Sequence, residues 1–306
     1  MESPVITART RAIDMVPSQI DVVDTAKDVL GESAIWDHQA QRLWWVDGIG
    51  QKIHRLDPAT GQKQSWPFGE EVGSIGLRAK GGLVVGMRSG LYFFDPASGA
   101  LEPVAQPESD RPGNRFNDGK VCRSGRFLTG TVQANPYAPR GRMWRLDPDL
   151  STHKIMDGVT CNNGLSFSPD NRLMYFTDSF SYRIDVFDYD DTDGSIHNRR
   201  LFTEIPIGRG ICDGSTVDAD GCFWSANIDG WCVTRHDPRG RVDMVINLPV
   251  RRPTSLCFGG PNLDVLYITT ATRRMQQKEL DQQPLSGCLL AVHPGVKGLP
   301  EPEFAG

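Results

Sequence analysis

The sequence predicts an all-β protein, a six-bladed β-propeller, and three observations predict it. The first is a repeat. Four polar residues, Glu32, Asn117, Asn163 and Asp213, each stand four positions before a hydrophobic residue (Trp36, Val121, Phe167, Val217) that leads into a polar turn. Two further units carry Gly73 and Pro253 at the same place, so the markers fall at 32, 73, 117, 163, 213 and 253, spaced 40 to 50 residues apart. The second is that each unit ends in an aspartate-centred turn or a relic of one, from LDPATG at 56 to VHPG at 292. The third is a set of short hydrophobic strands, such as RLWWVDG, KIHRLD, RLMYFTD and RIDVFDYD, separated by Gly, Pro, Asp and Asn. A period in the forties built from such strands is the signature of propeller blades.

Six units occupy residues 19–300 as a single domain, with 1–18 expected as a flexible N-terminal extension and 301–306 as a C-terminal tail. Both ends, including the whole of LPEPEFAG, read as mobile. With 39% hydrophobic residues, 32 glycines and 21 prolines among 306 residues, the composition suits a turn-rich β protein with a real core. A net charge of −5 argues against nucleic-acid binding, because neutralising phosphates takes a basic surface. The seven cysteines form no C-x-x-C pair and are odd in number, which reads as buried free thiols in a reducing compartment. No apolar run reaches signal-peptide length or the ~20 residues of a membrane span, so a cytoplasmic protein with no membrane partner is expected. The oligomeric state is not legible.

Strand order assigns the loops to faces. In a propeller the innermost strand of each blade lines the central channel and successive strands run antiparallel. The four polar markers stand at the start of that strand, so they ring one mouth of the channel. The loop after the second strand returns to the same face, and both insertions of the repeat fall there: 132–141 in the third unit and 272–287 in the sixth. Loops that rim an opening are natural substrate walls.

Two carboxylates and two carboxamides converging on one mouth leave charge and lone pairs uncompensated unless a cation fills the centre. All-oxygen ligation suits Ca²⁺, Mg²⁺ or Mn²⁺, one ion per ring, with Zn²⁺ or Fe²⁺ accepted by a weakly selective site. Turn chemistry accounts for single Asn-Gly or Asp-Gly dipeptides, but not for four such residues in one register, one of them Glu32. No G-x-S-x-G, H-E-x-x-H or G-x-G-x-x-G occurs, which removes the usual serine-hydrolase, zincin and dinucleotide signatures. The acidic DYDDTDGS at 188–195 is out of register for a helix-flanked calcium loop and reads as a solvated hairpin. Asp47 and Asp178 read as caps of strand ends, with support of the site from behind as the alternative, and Trp36, Trp144, Trp224 and Trp231 read as blade packing rather than sugar-stacking platforms.

The motifs GESAIW (31–36), RFNDGKV (115–121), NNGLSFSPDNRLMYFTDS (162–179), IDVFDYD (184–190), CDGSTVDADGCFW (212–224) and FGGPNLDVLYITTA (258–271) resemble the senescence marker protein/regucalcin/gluconolactonase family, from about residue 20 to 298. The resemblance implies a divalent-metal-dependent hydrolase that opens a sugar lactone, a small molecule, to its aldonic acid. It further implies Glu32, Asn163 and Asp213 as metal ligands, Asp213 also as general base, and Arg115 and Asn117 as substrate holders. Asn135, in GTVQANP, falls where regucalcin carries an acidic residue and is a further substrate-binding candidate. Cys212 replaces a family proline, and Arg88, Arg140 and Arg209 are basic residues near the rim. Two alternatives stay open: an organophosphate triesterase, and a calcium-binding propeller without catalysis.

Overall fold

The computed structural model describes residues 14–15, 19–206 and 208–306, and they form the expected six-bladed propeller. Most of the 1–18 extension lies outside the described residues. The innermost strands are Gly31–Asp37, Val72–Leu77, Arg115–Val121, Asn162–Phe167, Ile211–Val217 and Pro253–Gly259. Each packs against the next, and the last returns to the first, which closes the ring. Each blade continues outward through antiparallel strands, for example Arg42–Asp47, Lys52–Leu56 and Lys63–Pro67 in the first.

Period-two alternation places the core between the blades rather than at the centre. Trp44 and Trp45 are sequence neighbours whose side chains leave opposite faces of one strand. Trp44 packs with Ile75, Val85 and Phe94 of the second blade, and Trp45 with Cys257, Tyr267 and Leu289 of the sixth. Six such apolar layers, one per blade interface, hold the ring together. A fully buried large side chain in such a layer contributes roughly 1.5–3 kcal/mol. All seven cysteines are unpaired and buried, as read from the sequence.

The sixth blade takes its outermost strand, Asp21–Asp24, from the other end of the chain, antiparallel to Leu289–Val292. The chain thus ties its two ends into one blade, a closure the repeat did not reveal. The expectation of a mobile C-terminal tail is corrected. Phe304 is fully buried among Phe93, Phe116 and Phe127, and its backbone bonds Leu77 and Ala79. Glu301 pairs with Lys120 at 2.7 Å, so residues 297–306 run across the face opposite the polar ring. Trp231 departs from the reading too: it is 42% exposed, in a left-handed turn at φ 60°, whereas Trp36 and Trp224 are buried. Among the described residues no helix is long and apolar enough to cross a membrane.

Candidate metal centre at the channel mouth

Every inner strand carries a register irregularity beside its marker: between Glu32 and Ile35, Val72 and Ser74, Phe116 and Gly119, Asn163 and Ser166, Cys212 and Ser215, and Pro253 and Ser255. A bulge frees residues from the ladder and re-aims them, and here it does so six times at one level of the channel. The carboxyls of Glu32 in the first blade and Asp213 in the fifth lie close enough to shift each other's titration. These blades are not neighbours, so the two side chains meet in the channel itself. Asn117 of the third blade donates from Nδ2 to Oδ1 of Asn163 in the fourth at 2.9 Å and to the Asn162 carbonyl at 2.8 Å.

Arg115 is buried, and its guanidinium donates to Asn117 Oδ1 at 2.8 Å and to the Phe116 carbonyl at 2.9 Å. Its Nε lies 3.8 Å from Glu71. Arg115 and Asn117 therefore act as one unit beside the carboxylates. Asn135 is exposed at the tip of the small hairpin formed by Phe127–Ala134 and Tyr137–Ala138, without a hydrogen bond to the ring residues. Gly73 and Pro253 add no polar side chain. A Cβ on Gly73 would lie 2.3 Å from the Phe116 carbonyl oxygen, so the second blade gives up a ring side chain to let the third approach closely.

Burial raises the carboxyls of this centre. The Glu32 carboxyl stands well above the usual range, through burial first and the charges of Asp213 and Asp118 after it. Burial, then the charge of Asp118, pushes Asp213 up to about 7, and burial pushes Asp118 up to about 6. Among the described residues neither Glu32 nor Asp213 has a salt-bridge partner, and no three Asp, Glu, His or Cys side chains form a metal-binding group. What converges is a carboxylate pair with carboxamide oxygens nearby. Converging acidic groups of this kind, with hard oxygen donors and no salt-bridge partner, fit a divalent cation with Glu32, Asp213 and Asn163 as protein ligands.

Two aspartates hold the ring from behind. Asp47 accepts from the backbone N–H groups of Val29 (3.1 Å) and Leu30 (3.0 Å), just ahead of Glu32. Asp178 does the same with Thr160 (2.9 Å) and Cys161 (3.0 Å), just ahead of Asn163. Both stand fifteen positions after the marker they serve, and these bonds favour the supporting role over that of a plain cap. Ser179, also unforeseen, accepts from Asn163 Nδ2 at 2.7 Å and donates to the Cys212 carbonyl at 2.9 Å, linking the residue before Asp213 to Asn163.

A model of the SMP-30/gluconolactonase/LRE-like region matches residues 30–272. The chain belongs to that family. Within it, the chain is 38% identical over 279 residues to the 6-deoxy-6-sulfogluconolactonase of Pseudomonas putida, covering 91% of this chain and 96% of that protein. It is 37% identical over 295 residues to the regucalcin of Xenopus laevis, covering 94% and 99%. Among solved structures, a calcium-binding protein, regucalcin, from Agrobacterium tumefaciens superposes with a TM-score of 0.90 at 26% identity, covering 93% of this chain and 97% of that one. The SMP-30/gluconolactonase match spans all four ring residues, from Glu32 to Asp213.

Proposed function

We propose that the protein opens a sugar lactone, a five- or six-membered aldonolactone, to its aldonic acid, using one divalent cation held by Glu32, Asn163 and Asp213. Family membership and the lactonase among its relatives give the enzyme class, a carboxylic-ester hydrolase. The observation that carries the metal-dependent reading is the pairing of Glu32 with buried Asp213, neither of them in a salt bridge among the described residues, because two such carboxylates need more compensating charge than the more distant Arg115 and Arg252 supply.

The cation, when bound, supplies Lewis-acid polarisation of the lactone carbonyl. The protein's own residues do the rest. Arg115 and Asn117, locked to each other, orient the lactone ring by hydrogen bonds to its oxygens. Asp213 takes a proton from the attacking water as its oxygen bonds the carbonyl carbon. The ring C–O bond then breaks, and the ring oxygen leaves with that proton as a hydroxyl. The 132–141 and 272–287 insertions wall the mouth and keep bulk water from the reacting carbon.

The test is a panel of aldonolactones assayed after chelation and after return of Ca²⁺, Mg²⁺, Mn²⁺ or Zn²⁺. Activity absent in chelator and restored by one equivalent of metal supports the proposal; full activity in excess chelator removes its metal half. The structural relative described as a calcium-binding protein makes binding without turnover the competing reading. That reading expects tight cation binding and no lactone opening above the uncatalysed rate under any metal.

A further inference from the structure

Above the ring, the rim carries more positive charge than its own carboxylates offset. The insertion at 132–141 sends Tyr137 against Phe180 of the fourth blade, ring centroids 4.7 Å apart, and the Arg274 guanidinium from the 272–287 insertion lies 5.1 Å from the Tyr137 ring. Phe180 follows Ser179, the hydroxyl that holds Asn163. This contact therefore joins both insertions to the segment that holds Asn163. Arg252, at the foot of the second insertion, donates from its terminal nitrogen to the Arg273 carbonyl, while its buried Nε lies 3.3 Å from Asp229, a carboxylate it shares with Arg251.

The ion pairs here do not balance. Asp229 serves both Arg251 (2.8 Å) and Arg252 (3.3 Å), Arg251 also takes Glu279 (2.8 Å), and Glu71 is shared by Arg88 and Arg115. Among the described residues Arg273 and Arg274 have no carboxylate partner. The crowding is felt: burial first, then the charges of Arg251 and Arg274, lower the Arg252 guanidinium, and Arg273 adds to the lowering of buried Arg115. Asp213 is close enough to pull Arg252 the other way, which places this surplus next to the reacting end of the site. A neutral sugar would do nothing to relieve it.

We propose that the lactone accepted here carries a second, permanently anionic group (a carboxylate, sulfonate or phosphate) at the end remote from the lactone carbonyl, and that Arg252, Arg273 and Arg274 bind it. The inference rests on the lactonase reading and narrows its substrate class. Guanidinium forks match such oxyanions with paired hydrogen bonds, and one fixed on Tyr137 loses little freedom on binding.

The experiment compares kcat/KM for three lactones of one sugar, bearing at the far carbon a hydroxymethyl, a carboxylate or a sulfonate group, with the metal-loaded enzyme. The expected result is an anionic lactone preferred over the neutral one by roughly 10- to 100-fold, the range of a charge-assisted contact. That preference shrinks as salt rises from about 0.02 to 0.5 M, which cuts the Debye length severalfold. In Arg252→Gln and Arg274→Gln the ratio of anionic to neutral kcat/KM collapses towards one. Because the salt series uses the unaltered chain, a variant that fails to fold does not shield the proposal. Opening of the neutral lactone with no preference for either anion and no salt dependence overturns this inference and leaves the lactonase reading standing. Opening of none of the three by any metal form overturns both. Preference for carboxylate over sulfonate, or the reverse, supports the inference and names the anion.

Discussion

Asn117 donates from Nδ2 to Asn163 Oδ1 at 2.9 Å, so the two carboxamides of the ring are not equivalent. Both polar ends of Asn117 are engaged, its oxygen by Arg115 and its nitrogen by the fourth blade. Asn163 instead has its nitrogen fixed on Ser179 and keeps a lone pair on its oxygen. The geometry favours Asn163 as ligand and Asn117, fixed between Arg115 and the fourth blade, as substrate holder. Asn163→Ala should weaken metal binding, with activity partly recovered at high metal. Asn117→Ala should keep the metal and lower kcat/KM by roughly 10- to 1,000-fold, about 1.4 to 4 kcal/mol of transition-state binding. Metal titrations and kinetics on both variants decide it, and equal loss of metal affinity in the two would refute the division of roles.

Asp213→Asn keeps an oxygen donor and removes the charge and the base. With metal saturating, kcat should fall by at least about 100-fold, the lower end for loss of a general base. If the variant retains more than about a tenth of wild-type kcat, Asp213 is a ligand only.

Asp178 and Asp47 act through backbone. Removing the Asp178 carboxylate strands the N–H groups of Thr160 and Cys161 and loosens the strand start that presents Asn163. Asp178→Ala should cost about 1–3 kcal/mol of stability and weaken metal binding by roughly 10- to 100-fold, the range found for groups that orient ligands. Asp178→Asn, which keeps one acceptor oxygen, should recover part of the affinity. Metal affinity equal to wild type in a folded Asp178→Ala protein would reduce the residue to a cap.

The fold was legible because a repeat is self-checking: one register placed Glu32, Asn117, Asn163 and Asp213 on one level, and the bulge beside each marker bears that register out. What escaped lies outside the repeat. The Asp21–Asp24 strand completes a blade more than 260 residues away in sequence, and no local pattern encodes that pairing. Phe304 sits in a Pro- and Glu-rich segment whose composition resembles a loose end, yet one aromatic side chain docked in an inter-blade layer is enough to order it. Trp231 misled in the opposite sense, because a strand-like context did not reveal the left-handed turn that carries it outward. Within the site, residue type and register indicated which groups converge, whereas the Arg115–Asn117–Asn163 chain of hydrogen bonds depends on side-chain rotation that no spacing records.

The docked tail yields a stability test separate from catalysis. Phe304 fills the layer between the second and third blades, so Phe304→Ala should destabilise the protein by about 3–5 kcal/mol, as for a large aromatic removed from a packed core. Denaturant titration measures it. A loss below about 1 kcal/mol would mean that the segment lies on the surface without anchoring it.

His236 supplies the pH dependence. Its ring is buried between Phe202 and Phe223, and burial lowers its pKa from the usual 6.5 to about 4. Above pH 6.5 the ring is neutral in both the folded and unfolded chain, and it adds no slope. Between 6.5 and 4 the unfolded chain takes up a proton that the folded ring refuses, so stability is lost as pH falls through this window. The slope approaches 1.4 kcal/mol per pH unit, with a total of about 3 kcal/mol at the acid end. Buried carboxyls also titrate below pH 7, so the comparison is with His236→Phe, which fills the same aromatic slot without a titrating group. The difference in unfolding free energy between wild type and variant should be flat above pH 7 and move in the variant's favour from pH 6.5 to 4. Parallel pH profiles for the two proteins would show that the ring takes up its proton without unfolding the fifth blade around it.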